Sequence, residues 1–259
     1  MPSLLPPPPS VRRGIPFYHA KTEAEFRDDV YERYDELVTR QAALHLVDEL
    51  HGGYPQRDLL DFVLGQLPEG EGLAVADVGC SVGRLIGEIA ARHPGWDCYG
   101  FDLSYQMLRV AHDSWVGGQS TELNLLRYGF GTPRTAARRL PNLTFALARA
   151  GKLPLPDNCL DALVHTFLLD RVADVAAVLL EFARLLRPAA PMVCVTPLNF
   201  LNPAQWRRYD PPVRLLNLLV EQGWEVTEWT DPYPVHEPMD RRGNAVRWNC
   251  LRFVVRRRN

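Results

Sequence analysis

The sequence is short of paired cysteines, excess charge and long apolar runs. Its five cysteines, Cys80, Cys98, Cys159, Cys194 and Cys250, form no CxxC spacing and are odd in number. That excludes the usual zinc spacings and a complete disulfide framework, so no metal is expected and a reducing cytoplasm is the expected location. No apolar stretch approaches the length of a membrane span, and the opening MPSLLPPPPSVRRGIP lacks the apolar region of a signal peptide. A soluble protein with no membrane partner is expected. Against 31 acidic side chains stand 29 basic ones, a net charge of -2, too little positive field overall to hold a nucleic-acid backbone. The basic run Arg256-Arg257-Arg258 reads as a solvated tail.

What is present is a chain long enough for one large α/β domain with a covering segment. Residues 1–16 hold six prolines and read as a flexible tail without a core of its own. Over residues 17–56, Phe26, Val30, Leu37, Leu44, Val47 and Leu50 recur at helical spacings, which predicts a helical cover. Residues 57–259 form the main domain. After a helix at 57–67, apolar strands at 73–78, 97–101, 143–147, 160–166 and 192–196 alternate with helices at 84–93, 104–114 and 172–186. That alternation predicts parallel pairing with right-handed crossovers. A helix at 213–222 and strands at 224–229 and 246–255 follow, the two strands forming an antiparallel edge pair. Residues 116–139 carry no assignable element.

The first strand runs into Asp77-Val78-Gly79-Cys80-Ser81-Val82-Gly83, small residues where the chain must turn sharply into a helix and admit a ligand to its backbone. A dinucleotide fingerprint would need glycine at Ser81 and Arg84, so a nicotinamide enzyme is disfavoured. Asp102, at the end of the second strand, is a carboxylate placed to accept two ribose hydroxyls.

With these residues in view, VADVGCSVGRL, YGFDLSYQML, LARAGKLPLPDNCLDALVHTFLLDRV and LLRPAAPMVCVTP resemble, in order, the motifs of class I methyltransferases over roughly residues 57–200. The resemblance implies a doubly wound, mostly parallel, seven-stranded Rossmann-like sheet with S-adenosylmethionine as cofactor, S-adenosylhomocysteine as its product, and a small-molecule acceptor. It further implies that Gly79, Cys80, Ser81 and Gly83 border the cofactor backbone, that Asp102 holds the ribose and that Leu103, with Met107, covers the adenine. Asp77 would reach the methionine ammonium, and His165 would lend its backbone to the methionine portion. The loop Arg149-Ala150-Gly151 completes the cofactor set. Two positions depart from the family. Ser81 stands for a glycine, which a small side chain satisfies where the backbone is not left-handed. Arg149 replaces the acid that accepts the adenine amino group, so that contact must come from elsewhere.

A narrower resemblance links Leu168-Leu169-Asp170-Arg171-Val172 and Pro232-Tyr233-Pro234-Val235-His236-Glu237 to the methyltransferase domain of ovothiol synthases, with His236 where arginine is expected. It implies methylation of a mercaptohistidine imidazole, with Asp170, Arg171, His236 and Glu237 as catalytic candidates in loops at the open face. O- or C-methylation of another natural product, or cofactor binding without catalysis, are the alternatives.

Overall fold

The computed structural model describes residues 4–258. Its first elements overturn the expectation of a flexible tail, of which residues 1–3 lie outside the described residues. Strands β1 (Ser10–Arg12) and β2 (Ile15–Phe17) form an antiparallel hairpin. The two turn residues Arg13 and Gly14 both have positive φ, 50° and 79°, the backbone that suits a two-residue hairpin. β2 continues the main sheet, and Ile15 is fully buried. Proline-rich chain is tolerated here because the hairpin sits at a sheet edge, where a missing N–H breaks no ladder.

Helices α1 (Glu23–Asp28), α2 (Val30–Arg33) and α3 (Asp35–Leu46) and a 3₁₀ turn (Asp48–His51) follow. They are tied down by Arg84, which donates to the His45 carbonyl at 2.9 Å and to both Asp48 carboxylate oxygens at 2.6 and 3.1 Å, and stacks 4.2 Å above the Tyr54 ring. Such a bidentate, stacked contact is one that lysine would not reproduce.

After α4 (Arg57–Gly65) comes the predicted alternation: β3 (Ala74–Val78), α5 (Arg84–Arg92), β4 (Asp97–Asp102), α6 (Tyr105–Trp115), β5 (Leu143–Leu147), β6 (Ala162–Thr166), α7 (Val175–Leu185) and β7 (Pro191–Thr196). Helices α8 (Pro203–Tyr209) and α9 (Val213–Glu221) and strands β8 (Trp224–Pro238) and β9 (Ala245–Arg257) complete the order. The sheet has nine strands among the described residues, not seven, in the order β1-β2-β5-β4-β3-β6-β7-β9-β8. β9 is antiparallel to both β7 and β8. All five residues of β3 are buried, as a central parallel strand covered on both faces requires. Alternate residues feed two cores: Val75 packs with α4, α5 and α6, while Ala76 and Val78 pack with α7 and α9.

Chain order reverses direction across the sheet between β3 and β6, which opens a crevice at the carboxyl ends of these strands. Two further expectations change. Residues 232–237, read as a loop, lie within the long strand β8, which crosses two irregularities of register at Val226/Glu228 and Thr230/Tyr233. The basic run is not a free tail: Arg256 donates to the Ala189 carbonyl at 2.8 Å and Arg257 to that of Leu186 at 3.0 Å. Residues 116–139 wrap the cover, with Ala136 N–H bonded to the Leu46 carbonyl at 3.1 Å and Arg127 paired with Glu36 at 2.9 Å.

Candidate functional site

The turn after β3 is built for close backbone approach. Gly79, Ser81 and Gly83 have φ of 77°, 52° and 78°. The N–H groups of Gly79 and Cys80 both donate to the Phe101 carbonyl, at 2.8 and 3.0 Å, pinning the turn to β4. A Cβ at Gly83 would stand 2.6 Å from the Phe145 ring, so only glycine fits there. Ser81 is left-handed, contrary to the condition on which a non-glycine residue was expected to fit. The strain is offset locally, since its N–H donates to Asp102 Oδ2 at 2.8 Å and its hydroxyl lies 3.6 Å from Met107 Sδ. Ser81→Gly is expected to raise unfolding stability by about 1 kcal/mol; an unchanged or lower midpoint in urea would show that the strain is already relieved.

Asp77 is 2% exposed and its Oδ1 has no hydrogen-bond partner. Burial first, and then the neighbouring Asp102 carboxylate, push its carboxyl up to about 8 against a backbone hydrogen bond from Ile86. The folded state therefore keeps a proton that the unfolded chain, with a carboxyl near pH ~3.9, has lost. Stability from this group is present below the unfolded value and is lost as pH rises toward 8. Asp77→Asn is expected to shrink the stability lost between about pH 5 and about pH 8 by roughly 1–3 kcal/mol; parallel urea curves for variant and wild type at both pH values would contradict this.

Asp102 accepts the N–H of Ser104 at 2.8 Å as well as that of Ser81. Burial raises its carboxyl, and these two donors oppose the rise. Leu103 is half-buried and Met107 buried beside it. Arg149 is exposed and forms an ion pair with Glu25 of α1. Glu25 also meets His19 at 3.0 Å and closes a capping box with Thr22. Burial pushes its carboxyl up, but the Thr22 backbone N–H, His19 and Arg149 outweigh this and bring it down to about 2. A carboxylate missing at Arg149 is thus present beside it, supplied by the cover. Ala150 is half-buried and Gly151 exposed in the adjoining turn.

The His165 ring is turned away from this chemistry. It is fully buried between Phe182 and Phe253, with both nitrogens unpartnered, and burial drives it down to about 3.

On the other side of the crevice, Asp170 and Arg171 form a 3₁₀ turn. Asp170 Oδ2 lies 3.2 Å from Arg171 Nε without normal hydrogen-bond geometry. Its buried side chain is raised to about 6 by burial, with Arg171 the largest opposing influence. Glu237 accepts from Trp248 Nε1 at 3.0 Å, and Arg40 Nη2 stands 3.7 Å from its other oxygen. Because side chains alternate along a strand, His236 is exposed on the opposite face from Glu237 and Val235 and is not brought to this cluster. Arg40, Phe167, Trp248 and Glu25 escaped the sequence reading; only Glu25 had a local signal, the Thr22-x-x-Glu25 capping pattern. Among the described residues no three His, Cys, Asp or Glu side chains could hold a metal ion, and no helix is long and apolar enough to cross a membrane.

Residues 76–194 match the model of a methyltransferase domain. The chain is 26% identical over 203 residues to the demethylmenaquinone methyltransferase of Tropheryma whipplei, covering 77% of this chain and 68% of that protein. It is 31% identical over 110 residues to the ubiquinone/menaquinone biosynthesis C-methyltransferase UbiE of a Caulobacter species, covering 40% of this chain and 42% of that relative's length. A crystal structure of an S-adenosylmethionine-dependent methyltransferase from Methanosarcina mazei superposes with a TM-score of 0.52 at 19% identity, over 76% of this chain and 97% of that one.

Proposed function

We propose that the chain is a class I methyltransferase that uses S-adenosylmethionine, that it methylates a small molecule and that the acceptor atom is an imidazole nitrogen of a mercaptohistidine-like compound. The residues present fit the cofactor. Asp77 offers a buried carboxyl whose Oδ1 has no partner, and an ammonium group brought against it would favour the ionised form. The Gly79–Gly83 turn offers backbone without side-chain obstruction, and Asp102, held by two N–H donors, keeps acceptor capacity for hydroxyls.

When bound, the cofactor supplies a methyl group on a sulfonium and leaves as the neutral thioether S-adenosylhomocysteine. The chain's part is alignment and exclusion of water. Arg171 binds the acceptor's carboxylate, and buried Asp170 positions the Arg171 guanidinium. Glu237 faces the ring and takes the proton that one ring nitrogen releases when the other, unprotonated nitrogen forms the new N–C bond.

The observation that carries this reading is Glu237 itself, a carboxylate held by Trp248 and Arg40 on a strand that extends past the carboxyl ends of the parallel strands. Incubation with mercaptohistidine and S-adenosylmethionine is expected to give a product one methyl heavier, with the new carbon on a ring nitrogen. Glu237→Gln is expected to lower kcat by about 10²-fold or more while KM changes less, because a proton acceptor matters most in the transition state; a raised KM with kcat unchanged would assign Glu237 to binding. A quinone acceptor, as in the names of the curated relatives, is the second reading. Rapid methylation of a quinone or phenol with inert imidazole thiols would replace the acceptor and leave the cofactor half intact.

A further inference from the structure

The rings of Phe167 and Trp248, beside Glu237, present faces that the chemistry described so far does not use. Phe167 lies just after β6 at the open face, and its backbone sits at φ 54°, a left-handed conformation that a bulky residue rarely adopts. That conformation is fixed by its N–H, which donates to the Val195 carbonyl at 2.8 Å. Its ring meets Trp248 edge-to-face, with centroids 5.9 Å apart at 82°. The next residue, Leu168, touches the cofactor turn so closely that a Cβ at Gly79 would stand 3.0 Å from its Cδ1. The aromatic pair therefore begins one residue from the turn assigned to the methyl donor. Trp248 belongs to it by a second contact, the indole N–H that holds Glu237 Oε2 at 3.0 Å.

We propose that Phe167 and Trp248 are the specificity-determining residues for the acceptor, forming a wall against which a planar heteroaromatic ring lies with its edge toward Glu237. This rests on the reading of Glu237 given under Proposed function. The wall explains the strained Phe167: relaxing its backbone would swing the ring off Trp248 and away from the donor turn. It also gives Trp248 two tasks, presenting a ring surface to the acceptor and orienting the carboxylate that receives the proton. Flat π-surfaces with a fixed acceptor at one edge select planar rings carrying an N–H over aliphatic amines or thiols of similar size.

The test uses the full chain loaded with S-adenosylhomocysteine and titrated by calorimetry with mercaptohistidine, with cysteine as a non-aromatic control and a naphthoquinone as the rival ring. Wild type is expected to bind mercaptohistidine and not cysteine. Phe167→Leu and Trp248→Phe are each expected to weaken that binding by about tenfold, with S-adenosylhomocysteine affinity and melting temperature little changed. Trp248→Phe keeps a ring but removes the N–H to Glu237, so its kcat is expected to fall as well as its affinity, a split that Phe167→Leu, which leaves that N–H in place, is not expected to show. If wild type binds the naphthoquinone instead and both variants lose it, the wall stands and the imidazole reading falls. If wild type binds mercaptohistidine and both variants bind it equally well, the wall is overturned and the imidazole reading stands. Failure of wild type to bind either ring, or a parallel loss of S-adenosylhomocysteine affinity in both variants, overturns the proposal.

Discussion

Asp102→Ala is expected to weaken S-adenosylmethionine binding by about 1.5–3 kcal/mol, roughly 10- to 150-fold in Kd, the range for hydrogen bonds to a charged group. The structure adds a second cost. The carboxylate accepts from Ser81 N–H and Ser104 N–H, so its removal leaves one donor unsatisfied at the mouth of α6 and another in the turn before α5, and releases the left-handed backbone at Ser81. Stability should fall together with affinity. Asp102→Asn separates the two effects: it keeps the shape and one acceptor oxygen, and is expected to lose less stability than affinity. Calorimetric titration of each variant decides the matter, and an alanine variant that binds as tightly as wild type would remove Asp102 from the cofactor site.

Deleting residues 1–17 is expected to destabilise the protein by about 3–5 kcal/mol, the reverse of what the proline-rich composition implied. Ile15 is fully buried, and losing a side chain of that size from the core costs about 1.5–3 kcal/mol alone. The remainder comes from the ladder between β2 and β5 and from Leu4 and Leu5, which pack on the α7-side core. Tyr18, which donates to the Pro6 carbonyl at 2.6 Å, would lose that partner too. For a chain of this size the melting temperature should drop by roughly 10 °C. A truncated protein that melts with the full chain would restore the reading of this segment as a free tail.

The central strands were legible because a buried parallel strand leaves a continuous apolar run bounded by turn residues. β3 runs into glycine, and β4 into the Asp-Leu-Ser that caps α6. The N-terminal hairpin was not, since three-residue strands are too short to set up a period of two and six prolines dominate the composition around them. Its one local mark is Arg13-Gly14. In β8, Pro232 and Pro234 disguised a strand as a loop. An edge strand tolerates proline because one side of its backbone has no ladder to break, and the misreading carried His236 into a site that strand alternation denies it.

The two halves of the site differ for a similar reason. The residues proposed for the cofactor lie on consecutive turns of one repeating unit, so they follow one another in the sequence. The proposed acceptor half draws Arg40 from α3, Phe167 from just after β6, Glu237 from β8 and Trp248 from β9. No local spacing joins them, and only the folded sheet makes them neighbours.

The position of β9 between β7 and β8 has a consequence for how the sheet is completed. β8 is synthesised first, yet it has no partner until the strand that follows it has been made and has slotted in against β7. Until then the edge of β7, fully buried in the finished protein, presents unpaired backbone that any passing strand could use. Assembly of this flank is therefore a late event demanding long-range closure, and slow steps of that kind are where newly made chains misassociate. The same insertion brings Trp248 beside Glu237, so the proposed acceptor pocket is complete only once this vulnerable edge has been sealed.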